Sequence, residues 1–189
     1  MDTAKRLELV ERLKSLGLPS PERPSPLVTL EEFLIGNDDY GSIGCNLTPM
    51  LGPQFFFEKL KFIRSQPSVQ DVLVEVIEVE EEDPTMWPFA DRVYVFTDRT
   101  PEDVAHWTVS LQPDAIEKGF VNGKPYTAPE LKPGYNATAS GGTDDKLPCC
   151  VNCVSAAKSL RGESPSSPAL FGFAVALGPS WGFPDNRIS

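Results

Sequence analysis

Histidine and cationic side chains are scarce in this sequence. His106 is the only imidazole, and 17 Lys and Arg face 27 Asp and Glu, for a net charge of −10. One histidine excludes a metal site built on two imidazoles. No serine or cysteine is tied to His106 by spacing, so no Ser-His-Asp or Cys-His set can be drawn and no catalytic residue is assigned. The shortage of Lys and Arg excludes a general nucleic-acid binder, whose affinity comes from cations on phosphates. It also argues against docking on anionic membranes. Long apolar runs are missing too. The longest, ALFGFAVALG at 169–178, is half of the roughly 20 residues a spanning helix needs. The opening MDTAKRLELVERLKSLG is charged throughout and lacks the apolar core of a secretory signal. The expectation is a cytoplasmic protein whose four cysteines are reduced thiols.

What is present is acid, and it is unevenly placed. Residues 1–120 hold 11 Lys and Arg against 22 Asp and Glu, whereas residues 121–189 hold 6 against 5. An acidic front of this kind suits solubility or a basic protein partner.

Periodicity divides the chain into three parts. Residues 1–26 read as a helix, with Leu7, Val10, Leu13 and Leu16 at helical spacing, followed by the Pro-rich tether LPSPERPSP. Residues 27–120 read as an α+β core. Thr29 and Glu32 make a capping box for a short helix that Gly36 ends. SIGCNL (42–47) reads as a strand. Pro53 opens a helix with Phe56, Leu60 and Ile63 on one stripe. VQDVLVEVIEV alternates Val72, Val74 and Val76 against Leu73, Glu75 and Ile77, and RVYVFT is its partner strand. Thr100 caps a last helix ending near Leu111, and PDAIEKGF adds a final short strand. The resulting β-α-β-β-α-β order predicts a small mixed sheet with helices on one face in a ferredoxin-like, split βαβ arrangement, its first two strands parallel. Residues 121–189, rich in Pro, Gly and Ser, read as an irregular extension ending in an apolar tail.

Four clusters are candidate sites. Glu78, Glu80, Glu81, Glu82 and Asp83 crowd the end of a strand and the turn behind it, where mutual repulsion would be relieved by a basic partner. A solvated turn is the plain alternative. Trp87 and Phe89 follow at once and suit either an apolar anchor rimmed by charge or the floor of the hairpin. Asp38 and Asp39 precede a Gly-rich turn whose spacing matches neither a calcium loop nor a P-loop. Cys149, Cys150 and Cys153 form a CCxxC that can hold zinc or act in redox chemistry, although a complete zinc set would need Cys45 or the adjacent thiol.

The stretch LEEFLIGNDDYGSIGCNL and the later VQDVLVEVIEVEEEDPTMWPFADRVYVFT resemble a group of small acidic bacterial proteins with a GNDD-GSIGCN turn and a VQDVLVE…WPF hairpin. The resemblance covers about residues 27–112 and implies no catalytic residue. In size and acidity it is similar in style to immunity proteins. Three readings therefore stand. The first is an interaction module, of the immunity-inhibitor type, for a basic protein, with no resident cofactor. The second is an enzyme using scattered carboxylates such as Asp38, Asp39 and Glu75, with or without a divalent ion. The third is a zinc- or redox-linked regulator using the CCxxC.

Overall fold

Strand 69–78 forms where the period-2 alternation is strongest, and the rest of the fold is arranged on it. The computed structural model describes residues 1–20, 22–43 and 52–141. Its elements are α1 (Thr3–Leu16), β1 (Leu27–Thr29), α2 (Leu30–Leu34), α3 (Pro53–Arg64), β2 (Val69–Glu78), β3 (Phe89–Thr97), α4 (Pro101–Thr108) with a 3-10 turn at Val109–Leu111, β4 (Ala115–Lys118) and β5 (Asn136–Gly141). The five strands make one sheet in the order β1-β2-β3-β5-β4, and every neighbouring pair is antiparallel.

The α+β class and the placement of helices on one face hold. Val72, Val74, Val76, Val93 and Val95 face the helices and pack on Leu9 and Leu13 of α1, Phe33 of α2, Leu60 and Ile63 of α3, and Val104 of α4. The opposite face carries Leu27, Leu73, Tyr94, Phe96, Ala137 and Ala139, covered by Phe120, Val121, Ala128 and Leu131 from the loop between β4 and β5. Both faces of β2 and β3 are therefore covered, as their apolar residues on both sides require.

Three expectations are corrected. The mixed, ferredoxin-like order is not found. The first strand is Leu27–Thr29, paired antiparallel with β2, while in SIGCNL Ile43 makes an isolated parallel bridge to Ala90 and residues 44–47 lie outside the described residues. Three residues are too few for alternation to announce a strand, and Thr29 doubles as the cap of α2. The boundary at 120 is also displaced. NATASG at 136–141 is β5, hydrogen-bonded between β3 and β4. Small residues suit it because Tyr94, Phe96 and Phe120 fill the adjoining space. Finally, α1 is not a separate appendage, since its buried side chains join the main core.

The caps are those the sequence indicates. Thr29 with Glu32, and Thr100 with Asp103, form reciprocal capping boxes. Between α2 and α3, the Arg64 guanidinium grips both carboxylate oxygens of Glu31. That grip holds the Glu31 carboxyl below its usual range.

Candidate functional site

The acid cluster lies on the connection between β2 and β3. Glu78 closes β2 opposite Phe89. Glu80, Glu81 and Glu82 are exposed, and Asp83 is half-buried. Asp83 accepts from the Thr85 backbone amide at 2.8 Å and from its hydroxyl at 2.6 Å, which makes a tight local turn.

A side chain from far away in sequence fixes this loop. Arg6 of α1, only 3% exposed, donates from Nε to the Met86 carbonyl at 2.6 Å and from one terminal nitrogen to the carbonyls of Glu80 and Asp83 at 2.7 and 2.9 Å. Three carbonyls thus converge on one planar cation, so the loop's backbone turns inward while Glu80, Glu81 and Glu82 remain exposed. The rigid fork sets the loop's shape. Lys14, two turns further along α1, reaches Glu81 at 3.0 Å and also contacts Glu11, and the Glu81 hydrogen bond raises the pKa of its ammonium.

Sequence reasoning missed Arg6 and Lys14. The signal for Arg6 was available: Arg6, Leu9, Val10 and Leu13 are spaced i, i+3, i+4 and i+7, and all four are buried. The stripe expected through Leu7 lies one residue off, and Leu7 is 53% exposed. A guanidinium in an apolar stripe marks acceptors, carbonyl or carboxylate, on the facing element, because a buried charge must be paired or hydrogen-bonded.

Trp87 is not part of the exposed patch. It is 2% exposed, within the main core, and its backbone amide donates to Asp39 Oδ2 at 3.2 Å. Phe89 is half-buried at the start of β3. The aromatic step fails as an anchor because the chain turns there from the loop into the sheet.

The carboxylates Asp38, Asp39 and Glu75 do not converge. Asp38 pairs with the Met1 ammonium. Asp39 organises its own turn, accepting from the Gly41 amide at 2.9 Å as well as from Trp87. Glu75 points to the other face of the sheet, where it meets Arg92 at 3.5 Å. Among the described residues, no group of three or more His, Cys, Asp or Glu is arranged to hold a metal ion. His106 is exposed on α4. Cys149, Cys150 and Cys153, with Cys45, lie outside the described residues. Nor is any helix among those residues long and apolar enough to cross a membrane.

The sequence matches the "Uncharacterized protein YfbO family" over residues 4–139. That span begins in α1 and ends within β5, so it takes in both Arg6 and the loop it holds. A relative from Escherichia coli (strain K12), "Uncharacterized protein YfbO", is 36% identical over 117 residues, covering 60% of this chain and 81% of the relative. No solved structure matches the chain.

Proposed function

The chain belongs to the YfbO family, and from that premise and the loop geometry we propose that it is a cytoplasmic protein-interaction module whose acidic β2–β3 loop binds a basic protein. The carrying observation is the three-carbonyl grip of Arg6 on residues 80–86. A flexible acidic turn would lose conformational entropy on binding, whereas a loop already held in shape loses little. Exposed Glu78, Glu80 and Glu82 would steer a cationic surface into place, with affinity that falls as salt screens the charges. The same charges repel nucleic-acid phosphates and anionic lipid, which leaves a basic protein as the complementary class. An immunity-type role, in which a small acidic protein blocks a basic toxin, is the specific form this reading takes.

Lys14 tempers the patch by pairing with Glu81. The pair is about half exposed and screened by solvent, so a partner's cation can displace it.

The test is replacement of Glu80, Glu81 and Glu82 by Ser. The variant should fold as the wild type does and lose capture of its partner. Undiminished capture would remove the reading.

A further inference from the structure

β1 is short, and its end leaves a notch in the edge of the sheet. Thr29, the last residue of β1, pairs with Leu73 and caps α2, so the first residues of β2 lie beyond their neighbour strand. The loop between β4 and β5 closes one side of the notch. Thr127 Oγ1 accepts from the Leu27 amide at 2.8 Å. Gln70 donates to the Glu130 carbonyl at 2.7 Å and accepts from the Lys132 amide at 2.9 Å. Arg12 and Leu16 of α1 supply the other side. The result is an open groove of about 470 Å³. Leu16, Leu27, Leu73 and Pro129 give it apolar walls, and Tyr126, 61% exposed, adds an aromatic ring.

Three charged side chains line this groove: Arg12, Glu32 and Asp71. Two of them are committed. Arg12 lies 3.4 Å from one oxygen of Glu32, and the other oxygen accepts from the Thr29 amide and hydroxyl. Asp71 differs. Its Oδ1 accepts from the Val72 amide at 2.8 Å, and among the described residues no donor and no ion-pair partner reaches its Oδ2. Arg64 lies near enough for Asp71 to raise its pKa, but that guanidinium is held by both oxygens of Glu31. The groove thus contains one half-buried carboxylate with an acceptor to spare.

A single cation on a long apolar stem matches these walls. Guanidinium favours two parallel bonds to one carboxylate, and Oδ1 is already engaged by Val72. An ammonium is a point charge and needs one acceptor. A lysine stem covers apolar wall while its head stays on the carboxylate, and an aromatic ring suits both. The Leu27 amide points away from β2 to Thr127, and by strand geometry its carbonyl points the same way, an acceptor for the backbone of a bound segment. We propose that this groove is a docking site for a lysine side chain of a protein segment, its ammonium on Asp71 and its stem along Leu16, Leu27 and Leu73. The site lies at the opposite end of β2 from the acidic loop and does not rest on the reading of that loop.

The experiment is an NMR titration of the full chain with the capped tripeptide acetyl-Ala-Lys-Ala-amide, and with the same peptide carrying norleucine or arginine in place of lysine. Amide shifts of Leu27, Val72 and Thr127 should saturate with the lysine peptide. Norleucine keeps the stem and drops the charge, so it should bind about tenfold more weakly, the loss of one charged contact. Arginine should also bind more weakly than lysine. Asp71→Asn keeps an acceptor for the Val72 amide and should fold, yet weaken lysine binding about tenfold. Tyr126→Ala alters an exposed side chain and should weaken it as well, whereas the Glu80, Glu81 and Glu82 to Ser variant should bind as wild type does. The proposal is overturned if no shift saturates, if norleucine or arginine binds as well as lysine, or if Asp71→Asn or Tyr126→Ala leaves binding undiminished.

Discussion

Arg6 Nε donates to the Met86 carbonyl oxygen at 2.6 Å, across 80 residues of sequence, and so joins the first helix to the return of the β2–β3 loop. With the bonds to Glu80 and Asp83, this one side chain holds three carbonyls of the loop, of which that of Asp83 also accepts from the Met86 amide at 3.2 Å. The site and the fold depend on the same residue.

Arg6→Met should therefore cost about 3 kcal/mol, because three partly buried carbonyls lose a charged donor at once. Amide hydrogen exchange should quicken at residues 79–88 before it does in β2. Arg6→Lys should recover only part of the loss, since an ammonium cannot reproduce the planar fork. Chemical denaturation and exchange mass spectrometry read both effects. Unchanged loop exchange in Arg6→Met would show that the loop holds its shape without the clamp.

The Glu31–Arg64 pair predicts an acid-dependent term in stability. Glu31 has its folded-state pKa lowered from 4.5, chiefly by the hydrogen bond from Arg64. A depressed carboxyl contributes stability above its unfolded pKa and loses it as pH falls through the folded one. Glu31→Gln should be less stable than wild type at pH 7 by under about 1 kcal/mol, since the pair is partly exposed. The difference should begin to shrink below pH 4.5 and vanish at lower pH. Melting temperatures of the two proteins across that range check it.

The two capping boxes offer a control on local structure. Thr29→Ala and Thr100→Ala should each cost about 1 kcal/mol, and their effects should add because they share no hydrogen-bond partner. Thr29→Ala should act more widely, because Thr29 is also the last residue of β1. Equilibrium unfolding of the single and double variants measures both the cost and the additivity.

Gly141→Ala should destabilise by about 2 kcal/mol or more, because its methyl group meets the Asp91 carbonyl, a backbone atom that cannot swing aside. The loss should appear in the β3–β5 ladder by hydrogen exchange, with the acidic loop unaffected.

Local signals in the sequence were reliable where one residue type does one job. The Thr29–Glu32 capping box, the Thr100 cap, Pro53 at the head of α3, the buried stripe Phe56, Leu60 and Ile63, and the two faces of β2 follow from spacing alone. Pairing was not legible. β5 is NATASG, whose small polar residues resemble a linker until Tyr94 and Phe96 are seen to fill the space beside them. β1 is too short to alternate. In the candidate site the acids were visible because charge is conspicuous. Arg6 was not recognised, although the periodic slot it occupies was legible, because a cation is read by default as surface. Trp87 beside those acids suggested an anchor, and only the path of the chain into β3 takes it inside.

The most direct measurement compares capture from native lysate by wild type, by the Glu80, Glu81 and Glu82 to Ser variant, and by a control that loses the same charge elsewhere, at Glu58, Glu102 and Glu117. Quantitative mass spectrometry should find one basic protein with wild type and control, released by salt, and absent with the loop variant. Equal recovery by all three baits, or equal loss in both variants, would contradict a role for this loop beyond its bulk charge.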